Sequence, residues 1–430
     1  MKKKLVLDVH EKPKALHWIV LSLQHVLAMF GATVLVPILT GLPISCALIG
    51  SGIGTLFYLF VTKGKSPVYL GSSFAYISPI ISALAVGVVD GGTPNYGAVS
   101  GGLVMVGAVY TVIALIIKFI GTKWLDKILP PVVIGSVIMV IGLGLAPSAV
   151  SMASEHVIVA LITLTTAIIV STYTKGLLKL IPIFSGIVVG YIASVCFGLV
   201  DFTPVLEASW FEIPNFAFLH SKPQFSLEIA MIMIPVAIVT ITEHIGDHLT
   251  LGSIIDKDLT KNPGLHRTLI GDGIATAIGG LLGAPANTTY GENTGVIGLT
   301  KVASVYVIGL AGVIALSLGF IGKFTALVQT IPNPVMGGVS LLLYGIIASS
   351  GMRVLINNHI DLGKQRNLII CAVILVAGIG GLSVTLGQIT LSGMALSAII
   401  GVVLHLILPN KHESYGENHK KCHCKGCKSE

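Results

Sequence analysis

The sequence predicts an all-α polytopic membrane protein of fourteen transmembrane segments, set out as two inverted seven-segment repeats. Segments three and ten are expected to be broken by short extended stretches. Three observations predict this: the composition, the placement of basic residues between apolar runs, and residue pairs that recur in order. Of 430 residues, 53% are hydrophobic and 10% charged, whereas soluble domains carry roughly 25% charged residues. The 50 glycines suit membrane helices, where glycine is commoner than in soluble ones. A soluble enzyme, a secreted disulfide scaffold and a nucleic-acid binder are excluded on these grounds.

Along the chain, residues 1–15 form a polar, basic tail. No short apolar stretch with a small-residue cleavage site follows Met1-Lys-Lys-Lys, so the first apolar run reads as a retained span. Apolar segments fall near 16–40, 43–61, 68–87, 98–119, 130–149, 156–174, 178–200, 227–250, 267–283, 286–300, 303–321, 331–350, 367–384 and 388–408. Crossing the hydrocarbon core takes about 20 residues, and most of these runs suffice. Residues 201–226 read as an extracellular loop and 409–430 as a cytoplasmic tail. With the N-terminus inside, only Lys222 and Lys323 of the 26 Lys and Arg fall on the outer side. That positive-inside bias puts both termini in the cytoplasm of a multi-pass plasma-membrane protein, and makes the net charge of +7 a product of loop topology.

The second half echoes the first. Gln24-His25 sits mid-span in segment one and Glu243-His244 mid-span in segment eight. Gly71-Ser-Ser-Phe-Ala-Tyr76 is matched by Ala286-Asn-Thr-Thr-Tyr-Gly-Glu292, and Pro131-Val-Val-Ile-Gly135 by Pro334-Val-Met-Gly-Gly338. Seven segments per repeat is odd, so the second repeat enters from the opposite side, a recurring design of secondary transporters. Segments three and ten are short and rich in Ser, Thr, Asn and Gly. Irregular backbone at that depth must be buried in protein or line a cavity, and half-helix N-termini there would offer N–H donors. The alternative is two ordinary, poorly hydrophobic spans.

Four acids fall within segments eight to ten: Glu243, Asp247, Asp272 and Glu292. A carboxylate at the bilayer centre costs about 2.5–3.5 kcal/mol on insertion scales, which makes each a functional candidate. Glu243 and Asp247 share a helix face, with His244 and His248 on the neighbouring one. These acids could instead serve as structural partners of His25, His244 or His248. His244-Ile-Gly-Asp-His248 also raises an intramembrane metalloenzyme, although a zinc site needs a third protein ligand from another span. Cys46, Cys196 and Cys371 read as small core residues. Cys422, Cys424 and Cys427, among His412, His419 and His423, either bind a thiophilic metal or belong to a solvated tail.

One string is specific. Asn287-Thr-Thr-Tyr-Gly-Glu-Asn-Thr-Gly-Val296, continuing to Thr300-Lys301, contains Glu292-Asn293-x-Gly295 and Thr300-Lys301 at the spacing of the nucleobase–ascorbate transporter signature. Gln24-His25, Gly71-Ser-Ser-Phe74, Glu243-His244 and Pro334-Val-Met-Gly-Gly-Val-Ser340 also resemble that family, and the similarity runs from about 16 to 408. The Tyr-Gly-Glu-Asn form is similar to the family's bacterial uracil carriers, whereas the xanthine carriers usually have Gln at the position of Glu292. The resemblance implies a core domain (16–119 and 227–322) and a gate domain (120–200 and 323–408). It implies substrate contacts from Glu243, Glu292, Phe74, Ala32 and the backbone at Tyr290 and Gly291, with Ser340 and Tyr344 approaching from the gate. Some relatives have His four residues after the segment-eight Glu; here Asp247 stands there and His248 follows, so the proton-coupling group lies among Glu243, Asp247 and His248.

Uracil presents two N–H donors alternating with two carbonyls on a flat ring. Two carboxylates and backbone N–H groups complement that edge, and Phe74 can stack on its face. The function expected is therefore a proton-coupled uracil importer working by alternating access, not an enzyme, with the proton as coupling ion and no other cofactor. Its partners would be uracil or a close pyrimidine, protons, membrane lipid and a second copy in a homodimer, and no nucleic acid. A purine or xanthine carrier of the same fold is the alternative. An anion carrier would place Lys or Arg mid-span in segments one, three, eight or ten, and none stands there.

Overall fold

In hydrocarbon the backbone must satisfy its own hydrogen bonds, so the apolar runs fold as helices. The computed structural model describes residues 5–88, 92–176, 178–386, 389–391 and 393–409; the cysteine- and histidine-containing tail lies outside the described residues. In chain order come α1 (Ala15–Thr40), α2 (Ile44–Val61), a strand β1 (Leu70–Ser72) leading through the 3-10 turn Phe74–Tyr76 into α3 (Ile77–Ala85), and α4 (Tyr96–Ile120). The short α5 (Lys123–Ile128) precedes α6 (Pro131–Gly144), α7 (Ala146–Ser154), α8 (Val157–Tyr173) and α9 (Pro182–Cys196). Two small helices, α10 (Thr203–Glu207) and α11 (Ala217–His220), lie in the next connection. Then follow α12 (Leu227–Ile255), α13 (Leu265–Leu282), β2 (Asn287–Thr289), α14 (Gly291–Thr300), α15 (Val305–Leu318), α16 (Gly322–Gln329) and α17 (Asn333–Asn357). A hairpin of β3 (Val384–Leu386) and β4 (Ile389–Leu391) separates α18 (Gln365–Ile379) from α19 (Gly393–Ile407).

Among the described residues, six helical runs are long and apolar enough to cross a membrane: α1, α2, α4, α6 continuing as α7, α12 and α17. Six shorter apolar helices of 10–17 residues accompany them. Several boundaries differ from the sequence expectation for local reasons. The fifth segment runs past 149 to Ser154, interrupted at Leu145, where Pro147 supplies no N–H to the ladder. Segment eight extends past 250 to Ile255, and Asp256 closes it in a left-handed conformation at φ 56°. Segment thirteen stops at Ile379, before Gly380-Gly381, and the chain continues as the β3–β4 hairpin.

The helices pack in two sets. In one, α4 lies on α13, α2 on α13 and α15, and α1 on α15; in the other, α17 lies on α6, α7 and α8, and α18 on α6 and α19. Contacts of α12 with α6 and α19, and of α1 with α9, join them. The α6–α17 crossing depends on two glycines. A Cβ on Gly351 would stand 2.5 Å from the Gly135 carbonyl oxygen, and one on Gly135 would stand 2.8 Å from that of Gly351.

Residues before α1 are docked rather than trailing. Leu7 bridges Val302 in parallel, the Ala303 N–H donates to the Leu7 carbonyl at 2.9 Å, and Val305 N–H donates to that of Val9 at 3.0 Å. Val9 is buried, and Lys257 Nζ lies 2.6 Å from Asp8 Oδ1. The hydrogen bond from Lys257 holds the Asp8 carboxyl below the usual carboxylate range.

Gly351→Ala is expected to lower the thermal midpoint of the detergent-solubilised protein, at the cost of about 1–3 kcal/mol typical of overpacking. Gly345→Ala, whose added Cβ meets nothing within 4 Å, should leave the midpoint unchanged or raise it, because glycine weakens a helix interior. Equal effects from the two would contradict the close α6–α17 contact.

Candidate functional site

Two interrupted segments meet inside the first helix set. Pro67 and Pro285 stand just ahead of the strands and disfavour helix at the residues before them. β1 and β2 then pair antiparallel, Leu70 opposite Thr289, Gly71 opposite Thr288 and Ser72 opposite Asn287. Their remaining polar groups are taken up by α2 and α13. Leu70 N–H donates to Thr55 Oγ1 at 3.0 Å and its carbonyl accepts from Ser51 Oγ at 2.6 Å. The Asn287 side-chain amide donates to the Ala275 carbonyl at 2.9 Å and to that of Gly50 at 3.3 Å, while Thr276 Oγ1 donates to the Asn287 carbonyl at 3.1 Å.

Tyr290 pins the crossing. Its hydroxyl donates to the Ser72 carbonyl at 3.1 Å and accepts from Thr33 of α1 at 3.1 Å. The ring covers Gly71 so closely that a Cβ there would fall 2.4 Å from a ring carbon. Beyond each strand a short helix starts, at Phe74 and at Gly291. The first N–H groups of a helix lack intrahelical acceptors and carry the positive end of its dipole, so both starts aim donors at the crossing. Ser73 Oγ and Thr288 Oγ1 are buried there without a partner among the described residues.

The candidates assemble around this point. Glu292 stands in the first turn of α14, directly after Gly291, and is half-buried. Glu243 lies on α12, within electrostatic reach of Asp247, Glu292 and Asp272. Asp247, one turn on, accepts a short hydrogen bond from Thr289 Oγ1 at the end of β2. Ala32 and Tyr290 share one hydrophobic cluster and Tyr344 belongs to another; Phe74 packs against both. The Phe74 and Tyr344 rings meet edge-on with centroids 6.3 Å apart. Ser340 precedes Tyr344 by one turn on the same face of α17, and the Ser340 and Tyr344 hydroxyls are both buried and unpartnered among the described residues.

His244 and His248 face elsewhere. His244 Nδ1 is 2.8 Å from Asp272 Oδ2, and both side chains are fully buried. His248 Nδ1 donates to the His244 carbonyl at 2.7 Å, so in the neutral ring Nε2 accepts from the Tyr58 hydroxyl at 2.5 Å. The two imidazoles stack with centroids 4.1 Å apart. No three His, Cys, Asp or Glu side chains among the described residues converge as metal ligands. Sequence reading passed over Tyr58, which has no local signature, and the bonds from Asn293 Nδ2 to the carbonyl and Nδ1 of His25, both 3.1 Å. The recurrence of Gln24-His25 in the repeat was the available signal for the latter.

Chemically, donors from two helix starts face acceptors from two carboxylates beside an aromatic edge. Such a set suits a flat, neutral, hydrogen-bonding ring. It offers no cation to an anion.

Residues 16–387 match the permease family. The chain is 52% identical over 423 residues to a uracil permease of Bacillus caldolyticus, covering 96% of each. It is 50% identical over 439 residues to that of Bacillus subtilis (98% and 99% covered) and 44% identical over 412 residues to that of Escherichia coli K12 (93% of each). Among solved structures, the transmembrane domain of a cyanobacterium bicarbonate transporter BicA superposes with a TM-score of 0.64 at 16% identity, covering 90% of this chain and 96% of that one. Murine Solute Carrier 26 family member A9, in an inward-facing state, does so with 0.69 at 12% identity, covering 92% and 68%. These two likenesses establish the fold alone. The chain belongs to the permease family, in which the nucleobase–ascorbate resemblance placed it; it is a transport protein and not an enzyme.

Asn287→Ala should lower the thermal midpoint by an amount equivalent to about 1–3 kcal/mol, because the Ala275 and Gly50 carbonyls lose a buried donor. An unchanged midpoint would mean that the crossing is held some other way.

Proposed function

We propose that this member of the permease family imports uracil, or a close pyrimidine, across the plasma membrane together with protons, by alternating access. The observation that carries the reading is the convergence of Glu243 and Glu292 on the point where two half-helices begin. The bacterial relatives named as uracil permeases, aligned over nearly their whole length, support the same substrate. In this reading the fourteen segments form inverted 7+7 repeats with both termini cytoplasmic. Segments 1–4 and 8–11 build the core, segments 5–7 and 12–14 the gate, and a second copy completes a homodimer. The two packing sets support that division.

The substrate's two N–H groups would donate to Glu243 and Glu292, and its carbonyls would accept from the helix starts at Phe74 and Gly291. Phe74 would stack on the ring, with Ala32 beside it, the Tyr290 and Gly291 backbone at its edge, and Ser340 and Tyr344 closing from α17. Buried groups of this kind reject a ligand that leaves them unpaired, which favours uracil over a purine. Asp247 is the second coupling carboxylate in this scheme, since His248 is engaged by Tyr58 and the His244 carbonyl. Uptake of labelled uracil into proteoliposomes, with and without an imposed pH gradient, tests substrate and coupling together.

Glu243→Gln should abolish uracil binding and uptake while the protein still folds; accumulation at the wild-type rate would sink the assignment. Glu292→Gln, which restores the xanthine-type signature, should weaken uracil binding by about 1–3 kcal/mol through loss of one charge-assisted hydrogen bond. Unchanged affinity would make Glu292 structural. Asp247→Asn should keep binding within a few-fold but blunt accumulation driven by a pH gradient. Gradient-driven uptake equal to wild type, per folded molecule, would remove Asp247 from the coupling.

A further inference from the structure

An apolar slot lies between three helices. It is lined by one face of α12 from Pro235 to Thr242, by the start of α6 from Leu129 to Val137, and by α19 from Ala398 to Val403, and its volume is about 140 Å³. The only polar side chain lining it is Thr242, whose hydroxyl already donates to the Ile238 carbonyl at 3.0 Å. Nothing in the slot calls for water, and an aliphatic cavity of this size stays dry and takes an apolar guest. Ile399 and Val403 are 37% and 44% exposed, so the slot opens sideways toward the bilayer.

The chemistry changes at the end marked by Leu129 and Val403. Lys127 is exposed two residues before Leu129. His405 follows Val403 by two, and Arg366 donates to the His405 carbonyl at 2.6 Å and to that of Leu408 at 3.1 Å. Trp124, one turn before Lys127 on α5, has a buried indole N–H with no acceptor among the described residues. A greasy slot thus leads to a mouth with two cations and an unspent donor, the residue types that anchor proteins at the membrane–water interface.

We infer that the slot and its mouth bind one anionic phospholipid, an acyl chain lying between α12 and α19 and the phosphate at Lys127, Arg366 and Trp124 Nε1. A zwitterionic lipid fills the slot equally well but leaves the mouth's charge unmatched. Thr242 is the residue before Glu243, so the chain would lie against the helix that carries the candidate site. The inference does not depend on which substrate that site takes.

The test uses the full chain with Trp18 and Trp210 replaced by Phe, which leaves Trp124 as the sole tryptophan. The protein is reconstituted in phosphatidylcholine vesicles containing a minor fraction of acyl-brominated phosphatidylglycerol or, separately, of acyl-brominated phosphatidylcholine. The brominated phosphatidylglycerol should quench Trp124 severalfold more than the phosphatidylcholine. Lys127→Glu should abolish that preference, and Val239→Phe, which narrows the slot, should reduce quenching by both lipids. Equal quenching by the two lipids, or a preference that survives Lys127→Glu, would overturn the site. If the tryptophan replacements prevent folding, native mass spectrometry of the unaltered chain reads the same preference as retained phosphatidylglycerol over phosphatidylcholine, and equal retention overturns it.

Discussion

Everything at the centre of this molecule depends on one requirement, that backbone polar groups at membrane depth find partners. A helix that stops halfway leaves N–H and C=O groups exposed to hydrocarbon, each costing several kcal/mol. Here two helices stop halfway, and the three-residue strands that precede them satisfy each other. What the strands leave over goes to hydroxyls and amides, Ser51 and Thr55 from α2 and Thr276 from α13, with Asn287 turned back onto α13 and α2. With that wiring in place, helices can start at Phe74 and Gly291 inside the first helix set.

The acids follow the same economy. Asp272 and His244 hydrogen-bond one another out of solvent, and Asp247 rests on Thr289. Glu243 and Glu292 are left without a cationic partner among the described residues and sit only half-buried, beside the crossing. His244 and His248, adjacent to the acids in sequence, have both been drawn into the packing behind them, onto Asp272 and Tyr58.

Much of this was legible in the sequence because membranes impose simple rules. Runs of apolar residues gave helices, and the Ser-, Thr- and Gly-rich interruptions near 71 and 288 gave the breaks. Three of the four acids, Glu243, Asp247 and Glu292, together with the specific Glu292-Asn293 string, pointed to the candidate site, while Asp272 pairs with His244. What sequence could not supply was pairing at a distance. Nothing in Leu70-Gly-Ser72 names Asn287-Thr-Thr289 as its partner, and nothing in Tyr58 points to His248. The stretch Leu5 to Val9, read as part of a polar tail, has its partner after Lys301, far along the chain. Helix ends shifted for the same kind of reason: a proline at 147 and an Asp that accepts a left-handed turn at 256 act locally and are easily overridden in a reading based on hydropathy.

The distance between β1 and β2 has a consequence in time. Ribosomes add roughly 5–20 residues per second, so the partner of Leu70, about 220 residues downstream, is made roughly ten to forty-five seconds later by that rate. Through that interval the first half of the chain carries a strand whose sheet does not yet exist. Segment three must therefore wait in the insertion machinery, at the headgroup level, or against a surrogate polar surface until segment ten is made. A nascent chain cut off before residue 289 carries the Leu70–Ser72 segment without the strand that pairs with it.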